Sequence, residues 1–291
     1  MLSQLLISIR PKQWIKNLII FAPLVFSQNL FSKEPLMMVL LAFALFCFLS
    51  GSVYLLNDLL DIEKDRQHPI KCKRPLPSGK LNSKVAIFAL VVMSGASLVA
   101  AFSISLMVGM IAAIYFINNL LYSTFSKHIV IIDVMQIAFG FVLRVLIGAA
   151  VISVPASPWL LMCTVVLALF LGFAKRKHEL ILLSDNAENH RKVLEHYSTD
   201  FLDQMIVIVS SATVMSYALY TIWPDTVENF GTNKLIYTVP FVLYGLFRYL
   251  YLVNLKEEGG SPTRVLLTDK PLLLNIMLWL TTCVLIIEEI V

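Results

Sequence analysis

The stretch VAIFALVVMSGASLVAAFSISLMVGMIAAIYFINNLLYSTFS, Val85 to Ser126, runs for 42 residues without Asp, Glu, Lys or Arg. About 20 apolar residues cross the hydrocarbon core of a bilayer, so this run has to fold as two spans. Working outward, further charge-free stretches extend from Pro35 to Asn57, Val145 to Ala174, Gln204 to Pro224 and Pro271 to Ile287. Weaker spans near Trp14 to Phe31, Val130 to Val151 and Leu235 to Leu255 bring the expected total to nine. A composition of 58% hydrophobic and 14% charged residues lies outside the range of soluble domains. The expected fold is therefore all-α, a polytopic membrane helix bundle of about nine transmembrane helices, forming one integral membrane domain over residues 1–291.

The basic residues orient that bundle. With a cytoplasmic N-terminus, nineteen Lys and Arg fall on one side and only Lys33 and Lys234 on the other, with Arg144 and Arg248 inside spans. Such a bias places the crowded side in the cytoplasm by the positive-inside rule, and suggests the plasma (inner) membrane. The net charge of +4 is then a topology signal, and no nucleic-acid footprint is read from it. Fourteen of the 19 acids share the cytoplasmic side, mostly in polar loops near 58–84 and 175–203. Polar loops on one side suit an enzyme fed from that side and from the lipid; a transporter needs polar access from both. No cleavable signal peptide is expected from Arg10, Pro11 and Lys12 ahead of a short apolar run. Cys47, Cys72, Cys163 and Cys283 show no C-x-x-C spacing, which argues against disulfides and zinc.

The densest charge cluster is YLLNDLLDIEKDRQHPIKCKRPLPSG, Tyr54 to Gly79, with four acids and five Lys or Arg. Asn57, Asp58, Asp61 and Asp65 form N-D-x-x-D-x-x-x-D, which puts three carboxylates on one helical face. Such a row is self-repelling unless a cation sits among its members. Mg²⁺ favours a few carboxylates together with phosphate oxygens and waters, so the row suits a metal–diphosphate complex. The alternative is a solvated helix end paired with Lys64 and Arg66. Arg74, followed by Pro75 and Gly79, reads as a rigid turn presenting a guanidinium to phosphate.

N-D-x-x-D-x-x-x-D followed by K-x-x-R-P-x-x-x-G in a nine-span chain resembles the UbiA superfamily of intramembrane prenyltransferases. The loop beginning FAKRKHEL, Phe173 to Leu180, carries Lys175, Arg176, Lys177 and Glu179 where relatives acting on aromatic acceptors carry a second acidic motif. It resembles instead the decaprenyl-phosphate phosphoribosyltransferase branch. RPKQWIKN (Arg10 to Asn17), IIDVMQIAFGFVLR (Ile131 to Arg144) and SPTRVLLTDKPL (Ser261 to Leu272) match the same branch. Lys177 departs from it, since the branch commonly has Tyr or Phe there.

The resemblance implies transfer of 5-phosphoribosyl from phosphoribosyl diphosphate to a polyprenyl phosphate, with release of diphosphate, for a cell-envelope glycolipid precursor. Asp58, Asp61 and Asp65 would hold Mg²⁺; Asp58, Asp61 and Arg74 would be the catalytic set. Substrate contacts are expected from Lys16, Asn57, Arg66, His68, Lys71, Tyr122, Lys127, Arg144, Lys175, Arg176, Glu179 and Arg264. The acceptor phosphate is already a nucleophile, so no strong general base is required. Arg144 reads either as a functional intramembrane charge or as a side chain snorkelling to an interface, and Arg248 as the latter. Phe241, Tyr244, Phe247 and Tyr249 line a lipid groove or anchor a span. Two other functions stay open: prenyl transfer to an aromatic acceptor, and a non-catalytic transporter or lipid-binding protein. A homo-oligomer is compatible with the bundle.

Overall fold

The computed structural model describes residues 2–67, 71–183, 192–255 and 262–288, and among them all regular structure is helical. Among the described residues eight helices are long and apolar enough to cross a membrane, four in each of two compact units, Met1–Ala156 and Ser157–Val291.

In the first unit, α1 (Leu2–Ser8) leads into a 3₁₀ helix (Pro11–Phe21), α2 (Ala22–Val25), α3 (Lys33–Leu60) and α4 (Ile62–Gln67). Then come α5 (Ser83–Ile104), α6 (Leu106–Thr124) and α7 (Ile132–Val151). The 42-residue apolar run divides at Ser105, where the backbone turns extended (φ −164°, ψ 160°). Its hydroxyl accepts from Val108 N at 3.1 Å, so one residue ends α5 and caps α6. The stretch expected as the first span is instead the 3₁₀ helix and α2. Gly148 of α7 accounts for this departure: a Cβ there would lie 2.1 Å from the Ile20 carbonyl oxygen. The bare glycine lets the 3₁₀ segment lie directly on α7, where Ile20 and Leu24 are fully buried with Phe46, Leu49 and Ile147. Outward-facing Phe88, Val91, Val99 and Leu106 remain exposed, as lipid contact requires.

The second unit consists of α8 (Pro158–Leu183), α9 (Thr199–Ile222), α10 (Pro224–Phe230), α11 (Val239–Leu255), α12 (Pro262–Thr268) and α13 (Lys270–Ile287). Ser198 caps α9 by accepting from Phe201 N, and Asp269 caps α13 by accepting from Leu272 N. Asp269 also receives the Arg248 fork at 3.1 and 2.8 Å, so Arg248 is held in an ion pair where snorkelling was expected. A buried polar knot joins α9, α13 and the 3₁₀ turn Lys234–Thr238: Tyr217 Oη meets Thr238 Oγ1 at 2.6 Å and accepts from Trp279 Nε1 at 2.8 Å. In a bilayer such groups have to be satisfied within the protein.

Candidate active site

At about 1.5 Å per residue, the 28 residues of α3 extend about 42 Å, longer than the hydrocarbon core, which carries its last turn toward one face. Asp58 lies in that turn. The helix stops at Asp61 (φ −104°, ψ 11°) and resumes at once as α4, with Asp61 N donating to Asn57 O and Asp65 N to Asp61 O at 2.8 Å. The hydrogen-bond ladder thus runs through the break and preserves the spacing of the acids.

Each acid is met by a cation from elsewhere in the first unit. Arg74 Nη1 donates to Asp58 Oδ1 at 3.2 Å and to Asp65 Oδ2 at 2.6 Å, and Lys71 Nζ lies 4.0 Å from Asp65. Asp58 also accepts from Arg10, whose guanidinium stacks 4.8 Å from the Tyr54 ring centroid. Lys127 Nζ donates to both Asp61 oxygens at 2.7 and 3.0 Å. Asn57 accepts from the Ser123 hydroxyl, which fixes its amide against α6. Arg74 is presented by the expected turn: Ser78 N donates to Arg74 O, Leu81 N to Pro75 O, and Gly79 takes φ +74°, a conformation glycine adopts without strain. Leu76 and Leu81 anchor that turn against Ile9, Leu55 and Ala86.

The row is therefore neither bare nor a solvated helix end. Arg66 pairs with Glu63 at 2.8 Å on an exposed surface and is not engaged with the row, and Lys64 is also exposed. Asp58 is only 1% exposed, and a carboxylate so buried requires its partners. Among the described residues no three His, Cys, Asp or Glu side chains converge as a ready metal cage. Instead one guanidinium nitrogen sits between two carboxylates.

Deeper in the same unit, Arg144 is buried, and its partners are all neutral: Asn17 Oδ1, Gly140 O and Tyr115 Oη, each at 2.8 Å. The Tyr115 and Phe141 rings flank its guanidinium at 4.9 and 5.1 Å. Snorkelling is thus excluded for Arg144. Half-buried Lys16 adjoins Asn17 in the 3₁₀ helix, where the like charges of Arg144 and Arg10 act on it. Tyr122 is half-buried on α6, and His128 is exposed beside Lys127.

In the second unit, α8 carries Lys175, Arg176 and Glu179. Arg176, 1% exposed, donates to Glu179 at 2.5 Å, and Lys175 lies 3.6 Å from the same carboxylate. The basic cluster is thus partly neutralised on its own helix. Lys177, the departure from the family pattern, ties three helices together by donating to Asp203 of α9 at 2.6 Å and Asn254 of α11 at 2.8 Å. We expect Lys177→Met to cost about 1 kcal/mol, the scale of a partly exposed pair. Melting of the single and double variants with Asp203→Asn should be non-additive; strict additivity would mean that the pair does not couple. Arg264 is exposed on α12, and His68 lies outside the described residues.

Sequence reasoning missed Arg10, Ser123, Asn17 and Tyr115. Arg10 lies 48 residues from Asp58, and Ser123 lies 66 from Asn57. The available signal was that Arg10 and Asn17 delimit RPKQWIKN, one of the stretches that match the phosphoribosyltransferase branch.

Comparison with known proteins follows the same lines. The chain is 33% identical over 284 residues to a protein of Corynebacterium glutamicum named decaprenyl-phosphate phosphoribosyltransferase, covering 94% of this chain and 83% of that one. A protein of the same name from Mycolicibacterium smegmatis is 28% identical over 97% of this chain and 92% of its own. Among solved structures, a UbiA homolog from Archaeoglobus fulgidus bound to GPP and Mg²⁺ superposes with a TM-score of 0.73 at 18% identity, covering 98% and 99% of the two chains, and supports the fold. The sequence profile of the UbiA prenyltransferase family matches residues 18–268. The chain is an integral membrane enzyme belonging to the UbiA prenyltransferase family.

Proposed function

We propose that the protein transfers a 5-phosphoribosyl group from phosphoribosyl diphosphate to a polyprenyl phosphate. The bond from C1 of ribose to the diphosphate oxygen breaks, its electron pair leaving with diphosphate. A phosphate oxygen of the acceptor forms the new bond to C1. The charge-interleaved row carries this reading: Asp58, Asp61 and Asp65 alternate in space with Arg10, Arg74 and Lys127. The names of the relatives at about 30% identity favour phosphoribosyl over prenyl. The basic exit of α8, where an acidic motif would suit a prenyl diphosphate, points the same way.

Residues 1–291 act as one integral membrane domain in the plasma membrane, with the acidic row on the cytoplasmic side. The carboxylates of Asp58, Asp61 and Asp65 fit Mg²⁺, because Arg74 Nη1 already sits between two of them in the manner of a cation. When bound, the metal supplies Lewis acidity and a template for the leaving diphosphate. Arg10, Arg74 and Lys127, released from the acids they now pair with, place fixed positive charge where the leaving group gains negative charge. Lys71 adds to that field, and Asn57, held by Ser123, orients a ribose hydroxyl. Lys175 and Arg176 receive the acceptor phosphate, with Glu179 orienting both. Tyr122, His68 and Arg264 complete the substrate contacts.

Diphosphate release by purified protein tests this reading. It should require phosphoribosyl diphosphate and polyprenyl phosphate together, stop on addition of EDTA, and return with excess Mg²⁺. Release with geranyl diphosphate and an aromatic acid, and none with the phosphoribosyl donor, would refute it.

A further inference from the structure

The link between α6 and α7, residues 125–131, ends in a strained turn that nothing local explains. Ile131 takes φ 68° and ψ −48°, and Ile132 N donates to Val130 O at 2.8 Å across it. Those angles and that bond define a γ-turn with a positive central φ, the rare and strained form. A β-branched residue is among the least suited to it. Ile131 also stands directly ahead of α7, where Ser, Thr, Asp or Asn would cap the helix, and its side chain caps nothing. That side chain is exposed rather than seated in the core. Strain of this kind persists only where the surroundings impose it.

The turn is fastened on both sides. Behind it, Asp133 N donates to Ile129 O at 3.0 Å and Met135 N to Ile131 O at 2.9 Å, with Asp133 fully buried in the first turn of α7. Ahead of it, Ile129 N donates to Ser126 O at 3.0 Å, and buried Lys127 donates to both Asp61 oxygens at 2.7 and 3.0 Å. The two helices are tied to each other, since Gln136 Nε2 donates to Asn118 O at 2.8 Å and Asn118 Nδ2 to Gln136 O at 3.3 Å. A change in the turn therefore moves the short link that carries Lys127 and leaves α6 and α7 in place. Of these fasteners, the Lys127–Asp61 pair is the one open to a ligand. The Asp61 side chain is 28% exposed, against 2% for Asp58 and 6% for Asp65.

We infer that the Ile131 γ-turn and the Lys127–Asp61 pair form an autoinhibitory latch, closed in the empty enzyme and sprung when Asp61 is taken by a metal–diphosphate complex. Ile131 acts through Lys127 and is a positioning residue. On release it returns to negative φ, and Lys127 moves from Asp61 to the diphosphate. The latch rests on the reading of Asp61 as a metal ligand and adds to it what keeps the row shut. Strain at such angles favours release by about five- to a hundredfold, and in the empty enzyme the ion pair outweighs it.

Two substitutions separate the backbone of Ile131 from its side chain. Glycine takes positive φ without strain, whereas alanine keeps the penalty and loses the branched side chain. Ile131→Gly should therefore deepen the closed state, and Ile131→Ala should not. Calorimetry on protein in lipid nanodiscs, with Mg²⁺ and inorganic diphosphate as the probe, should show binding about tenfold weaker for Ile131→Gly and within about threefold of wild type for Ile131→Ala. In a Lys127→Met background, which has no latch, the glycine effect should fall below about twofold. Hydrogen exchange supplies a readout independent of turnover: in wild type, Mg²⁺ with diphosphate should speed exchange of the 128–132 amides about fivefold or more. Equal affinities of the Gly and Ala variants, a glycine effect that persists with Lys127→Met, or exchange that ignores the ligand would each overturn the latch. Asp61→Asn that binds Mg²⁺ and diphosphate as tightly as wild type would instead overturn the reading of Asp61 as a metal ligand, and the latch with it.

Discussion

Asp61→Ala should lower the transfer rate by about a thousandfold or more while the protein remains folded, a loss on the scale of removing a principal electrostatic element of a site. Asp61 closes α3, its side chain is partly exposed, and among the described residues its carboxylate is engaged only by Lys127. It therefore contributes less to the fold than Asp58, which holds both Arg10 and Arg74 in a buried position. Asp58→Ala should lose activity as well, but with a lower melting temperature, because breaking a buried pair leaves uncompensated charge. Asp61→Asn preserves shape and removes charge, so it should match the alanine variant in rate. Initial rates and melting curves for the three variants separate the two roles. Substantial activity in Asp61→Asn would show that the charge of Asp61 does not serve the reaction.

Gly148→Val should prevent assembly of the first unit, and Gly148→Ala should lower its melting temperature by several degrees. The added Cβ would lie 2.1 Å from Ile20 O and 3.0 Å from Ile20 C, so backbone rather than a flexible side chain has to move. That backbone is pinned, since Ile20 and Leu24 are fully buried and Asn17 is bonded to Ser50 and Arg144. Overpacking in a tight core costs about 1–3 kcal/mol, and this contact is at the unfavourable end. Gly95 is the control: its Cβ would meet nothing within 4 Å on α5, so Gly95→Ala should be neutral or slightly stabilising. Size-exclusion profiles and thermal melts in detergent distinguish the outcomes. Equal melting of Gly148→Ala and wild type would mean that the 3₁₀ segment is free to move off α7.

Much of the architecture was legible because lipid imposes a coarse rule: runs such as Val85 to Ser126 have to be helical and have to break. Where they break depended on a single capping hydroxyl, Ser105, that the sequence did not single out among its neighbours. The segment from Trp14 to Phe31 resisted because its course depends on a glycine more than a hundred residues away. The acidic row was readable from spacing alone, since hydrogen bonds continue through the break at Asp61. Its counter-ions were only partly readable. Arg74 lies nearby, whereas Arg10 and Lys127 come from remote segments that local periodicity cannot connect to it. Lys177 stood out as a departure, yet its role in joining α8, α9 and α11 becomes visible only in three dimensions.

The most direct test is transfer of label from ribose-labelled phosphoribosyl diphosphate into organic-extractable lipid by membranes containing the protein, polyprenyl phosphate and Mg²⁺, with Asp61→Ala alongside. Label should enter the lipid with wild type, and should fall to background with Asp61→Ala or EDTA. Lipid that stays unlabelled, while the same membranes prenylate an aromatic acid from polyprenyl diphosphate, would contradict the phosphoribosyl reading.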